Sequence, residues 1–87
     1  MRYVREVGVY SKVIKGVVYV LGVDRKLVYE LNPVAGFVWK MLKLPLEVGQ
    51  IVERVCKEYD VEIGQARGDV ELFLEEYVKK RVLKKLD

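Results

Sequence analysis

Eighty-seven residues suffice for one domain, spanning 1–87, with a single modest core. Hydrophobic residues make up 52% and charged residues 33%, which leaves one serine, one asparagine, no threonine and no histidine, and so excludes imidazole catalysis and imidazole metal ligation. The net charge of +3 rests largely on C-terminal lysines and is diluted elsewhere by Glu and Asp, the pattern of a solvated surface rather than a nucleic-acid footprint.

Met1 to Val7 alternates loosely and reads as an extended arm. Val9 to Ile14 reads as a first strand, Lys15-Gly16 as a turn, and Val17 to Leu21 as a central strand that is apolar on both faces. Asp24-Arg25-Lys26 forms a polar turn before the third strand, Leu27 to Leu31. On that strand Leu27, Tyr29 and Leu31 share one face, and Val28 and Glu30 the other. Connections this short predict an antiparallel meander in the order one, two, three, with the third strand at a sheet edge.

Strand then gives way to helix within Leu31-Asn32-Pro33. Asn32 is suited to cap a helix N-terminus, and proline at the first helical position loses no hydrogen bond there. The first helix runs from about Pro33 to Lys43, and Gly36 within it implies that another backbone lies close by. Leu44-Pro45 ends it. The second helix, from about Leu46 to Tyr59, carries the stripe Val48, Ile51, Val52, Val55, Cys56 and Tyr59. The third, from about Gly64 to Lys80, carries Ala66, Val70, Phe73, Leu74, Tyr77 and Val78, with basic residues at its end that complement the helix dipole. Val82 to Asp87 adds a turn or frays. The expected fold class is α+β: a three-stranded antiparallel sheet followed by three helices that cover one of its faces.

Catalytic constellations are missing. Cys56 is alone, which excludes an internal disulfide and a thiolate metal cluster, and its place on an apolar stripe makes it a small buried hydrophobe. Ser11 has no base to activate it, and the glycines form neither a P-loop nor a dinucleotide fingerprint. The pair Glu75-Glu76 falls on an exposed helical face. No enzyme activity and no cofactor are therefore expected. No secretory signal and no membrane-length apolar run are visible, so a cytoplasmic location is expected, with no membrane partner. Abundant Val, Glu and Lys with few amides match a thermophilic source.

What remains is a surface able to take a peptide. The outer edge of the third strand offers unpaired N–H and C=O groups, and Lys26 and Glu30 are the only nearby charges that would block it. A third helix crossing the sheet diagonally would leave a groove walled by Leu27, Tyr29 and Leu31 on one side and Val70, Phe73, Leu74 and Tyr77 on the other. A peptide could join as a fourth strand and place alternate side chains there.

The segment from Leu31 to Trp39 resembles the Leu-Asn-Pro-x-Ala-x-x-(Ile/Val)-Trp junction of the PqqD family, and Asp69 to Tyr77 is similar to that family's Asp-Val-x-x-Phe-Leu-x-x-Leu helix. The likeness extends from about Val9 to Leu83. It implies a winged-helix-like recognition element that holds the leader of a ribosomally made precursor peptide. The leader is presented to a partner: a radical-SAM enzyme in pyrroloquinoline quinone assembly, a leader protease in lasso-peptide maturation, or a cyclase. Carried over by position, the resemblance assigns peptide binding to Leu27, Val28, Tyr29, Glu30 and Leu31 on the strand. On the third helix it assigns Arg67, Val70, Glu71, Leu74 and Tyr77. Two departures stand out: Lys43-Leu44-Pro45 replaces an Asp-Gly turn after the first helix, and Arg81 replaces a glycine before the last apolar pair. The alternative is a winged-helix nucleic-acid-binding regulator, and Asp69, Glu71, Glu75 and Glu76 on the third helix argue against it by repelling phosphate. A monomer, or a weak homodimer joined through the free edge, is the expected solution state.

Overall fold

In a computed structural model describing Met1–Asp87, the Asn32-Pro33 junction links a meander to a helical layer. The chain runs β1 (Arg2–Arg5), β2 (Tyr10–Ile14), β3 (Val17–Leu21), β4 (Val28–Leu31), α1 (Pro33–Met41), β5 (Leu46–Glu47), α2 (Val48–Tyr59), α3 (Ile63–Lys79) and β6 (Leu83–Leu86). The meander is antiparallel in the order β2-β3-β4, as the short connections require. Lys15 and Gly16 both take positive φ, 51° and 82°, the two-residue turn whose twist matches a hairpin. Pairing of Val18 with Leu31 and of Val20 with Tyr29 sets these residues on the helix-covered face, where Val18, Val20 and Leu31 are buried. The opposite face, which the helices leave uncovered, carries Tyr10, Ile14 and Val28, all exposed.

Asn32 caps α1 as expected. Its Oδ1 accepts from the Ala35 N–H at 2.8 Å, and Pro33 occupies the first turn. Gly36 does mark a close approach, but to a side chain rather than a backbone: a Cβ built there would lie 3.1 Å from Val18 Cγ2. The glycine thus lets α1 lie directly on β3. Trp39, Leu42, Ile51, Val55, Val70, Leu74 and Leu83 then form one continuous core.

Three strands followed by three helices is not the full architecture. A second three-stranded sheet, β5-β1-β6, is present. The N-terminal segment is not a free arm and the tail does not fray: Arg2 to Arg5 pair with Leu83 to Leu86 along the whole of β6. Leu46-Glu47 is not the start of α2 but a short strand beside β1. These pairings bring together segments far apart in sequence, and Leu83 supplies the buried side chain that holds β6 down. Arg5 fastens β1 to α1. Its Nε and Nη2 donate to the Trp39 carbonyl at 3.0 and 2.8 Å, and its guanidinium lies 4.6 Å from the centre of the Trp39 ring. Partial burial lowers the Arg5 pKa from its ordinary value.

The missing glycine at position 81 also has a structural answer. Arg81 adopts φ 62°, the left-handed conformation that ends a helix. The Val82 N–H donates to Tyr77 O at 3.1 Å and the Arg81 N–H to Val78 O at 3.0 Å, which closes a Schellman turn. A residue with a Cβ is strained at such an angle. Arg81→Gly should therefore stabilise the fold by about 0.5–1 kcal/mol, read as a thermal midpoint about 5 °C higher.

Candidate functional site

The edge of β4 facing away from β3 has no partner strand. Alternate residues of an antiparallel edge strand direct their N–H and C=O groups outward, so this edge presents unused backbone groups. Beside it opens a cleft of about 630 Å³ between the β4–α1 junction and α3. Its walls are Glu30 from β4, Pro33, Val34 and Val38 around the start of α1, and Asp69, Leu72, Phe73, Glu76 and Tyr77 from α3. Tyr59 of α2 closes one side and donates from its hydroxyl to Pro33 O at 3.1 Å.

Aromatic rings tie β4 to α3. Tyr29 meets Tyr77 edge to face, with ring centres 5.8 Å apart, and Tyr77 lies against Phe73 at 4.6 Å. Lys80 Nζ sits 5.4 Å from the Tyr29 ring and 5.6 Å from the Tyr77 ring, and pairs with Glu76 at 3.3 Å. Desolvation first, then the charges of Glu76 and Tyr29, raise the Tyr77 pKa above its ordinary value of 10.0. The sign follows directly. The folded state retains the phenol proton longer than the unfolded chain, so this contribution is complete below about pH 10 and is lost as pH rises through the higher folded value. Urea midpoints measured from about pH 9 to about pH 11 should fall, and Tyr77→Phe should flatten that decline.

The residues assigned from sequence separate into groups. Glu30, Val70 and Tyr77 line the cleft, and Tyr29 stands at its end against Tyr77. Leu31, Val70 and Leu74 are core residues at 4%, 1% and 1% exposure, so the side chains of Leu31 and Leu74 cannot seat a ligand, although the Leu31 backbone remains on the open edge. Leu27 and Val28 are exposed but lie outside the cleft. Arg67 and Glu71 point elsewhere. They pair with each other at 3.8 Å, and Arg67 borders a separate hollow with Val52, Cys56 and Ile63. On α3, Val70 and Leu74 are packed in the core, Val70 at the floor of the cleft, and the more open residues turned to the cleft are Asp69, Leu72, Phe73, Glu76 and Tyr77. That set has its own sequence signal, the i, i+3, i+4, i+7, i+8 spacing of a single helical face.

No group of three His, Cys, Asp or Glu side chains is placed to hold a metal ion. No helix is long and apolar enough to cross a membrane.

Fold and site together define a small α+β protein with two antiparallel sheets, three helices and a cleft at an open sheet edge. The chain belongs to the PqqD family: residues 18–83 match the family model of coenzyme PQQ synthesis protein D. A search of curated proteins found no match. Among solved structures, the chain is similar to TbiB1 in complex with the TbiA(beta) leader peptide, with a TM-score of 0.85 and 24% identity over 97% of this chain and 98% of that one. It is also similar to the PqqD truncation of Methylobacterium extorquens PqqCD, described as a functional, stand-alone recognition element for ribosomally synthesized and post-translationally modified peptides. There the TM-score is 0.80, with 22% identity over 97% of this chain and 89% of that chain. At these identities the likeness is one of fold.

Proposed function

We propose that this protein, acting as one domain over residues 1–87, is a non-catalytic adaptor that captures the leader of a ribosomally made precursor peptide. It presents that peptide to a modifying enzyme, whether a radical-SAM protein, a leader protease or a cyclase. The leader joins β4 as an additional strand and seats alternate side chains in the cleft against Val34, Phe73 and Tyr77. The unpaired edge of β4 at the mouth of an apolar cleft is the observation that carries this reading. Family membership supports it, as does the fold shared with a protein solved in complex with a leader peptide. The protein works in the cytoplasm as a monomer or weak homodimer, without cofactor. Duplex DNA is a poor partner for this surface, because Asp69 and Glu76 on α3 would repel phosphate.

Each strand-pairing hydrogen bond contributes about 0.5–1.5 kcal/mol net, and two or three apolar anchors bring the affinity to roughly micromolar or tighter. The test is a calorimetric titration with the precursor peptide encoded beside the gene. Binding is expected, and proline at a paired leader position should abolish it by removing a donor. Binding that tolerates proline at every leader position would rule out strand addition.

A further inference from the structure

We propose that the peptide taken by this cleft is cationic, with Lys or Arg on both sides of its apolar anchor. This rests on the leader-capture reading above and names the chemistry of the leader. The protein as a whole carries +3, so charge steering over its surface favours acidic partners. The cleft has the opposite sign. Glu30, Asp69 and Glu76 line it, and no Lys or Arg does.

The three carboxylates are not equivalent. Glu76 is compensated by Lys80 at 3.3 Å. Asp69 accepts two hydrogen bonds at 3.1 Å from Gln65 Nε2, a neutral donor that fixes the carboxylate without neutralising it. Glu30 makes no ion pair. The one cation in its cross-strand row is Lys12, on the far side of Tyr19 and about 10 Å away at two strand spacings. Two carboxylates without a cationic partner therefore border the path of a strand added to β4, Glu30 on the face turned away from the helices and Asp69 on the helix side.

Strand alternation makes the assignment specific. Tyr29 and Leu31 face the helices and Glu30 faces away from them. On a strand added to β4, the residue opposite Glu30 also points away from the helices and cannot be the anchor. Directly opposed charges of opposite sign stabilise a strand pair and like charges destabilise it, by about twofold to fivefold in affinity. A second basic residue, beyond the anchor, meets Asp69.

The experiment is selection from a random dodecapeptide display library on the full chain. The wild type and the Glu30→Lys, Asp69→Lys double variant are panned in parallel, with circular dichroism to verify that both are folded. Wild-type binders should carry Lys or Arg at fixed offsets from an apolar residue, and the double variant should select Asp or Glu at those offsets. Exchanging both basic residues of a wild-type binder for Glu should weaken its binding to the wild type by about tenfold and strengthen its binding to the double variant. Apolar alternating binders without enrichment of basic residues would overturn the charge assignment and leave leader capture standing. Binders that are neither alternating nor weakened by Phe73→Asp would remove both.

Discussion

Phe73→Asp should weaken leader binding by about a hundredfold or more while the fold survives. Phe73 is only partly buried: one edge packs on the core and Tyr77, and the rest forms the cleft wall. Aromatic anchors at the centre of an interface cost about 2–4 kcal/mol when lost, and 1.4 kcal/mol is a factor of ten. Aspartate also places a third uncompensated carboxylate in the space meant for an apolar side chain. Arg67→Ala, about one and two-thirds turns away on α3, should change affinity by less than about twofold, because Arg67 faces the hollow beside α2. Titration of both variants with the same leader reads the rotation of α3. Equal losses would place the peptide on the wrong face of the helix here.

Trp39→Ala should bring the protein to the edge of unfolding. The side chain is 1% exposed and lies at the centre of the core, under the Arg5 guanidinium. Its indole Nε1 is buried without a hydrogen-bond partner, so truncation also relieves an unsatisfied donor. The cavity outweighs that relief: removing a buried Trp costs about 3–5 kcal/mol, against a total stability of roughly 4–13 kcal/mol for a chain of this length. Urea unfolding followed by far-ultraviolet circular dichroism is the suitable measurement, since the substitution removes the only tryptophan fluorophore. Leader at a hundred times its dissociation constant should restore about 2.7 kcal/mol if it binds only the folded state.

The elements that were legible from sequence are those with a local signal. The β2–β3 turn was marked by Lys15-Gly16, the change from strand to helix by Asn32-Pro33, and α2 by a stripe of apolar residues at helical spacing. The second sheet gave no such signal. β5 has two residues, β6 is Leu-Lys-Lys-Leu, and β1 contains two arginines; each is a strand only because the others are beside it. The cleft was half legible. The open edge of β4 follows from the meander order, but the apolar residues of α3 span more than one helical face. Periodicity alone does not say whether Val70 and Leu74 or Phe73 and Tyr77 turn toward the core. The packing of α3 against α2 and β6 decides it, and that depends on a sheet with no local signature.

Pairing of Arg2 with Leu86 brings the two ends of the described chain side by side, and no residue of β1, β5 or β6 borders the cleft. A tether fused at either end would depart from the same corner and leave the peptide path clear. The module could therefore be grafted before or after an enzyme, or spliced into a surface loop of one, with its seat for the guest chain undisturbed.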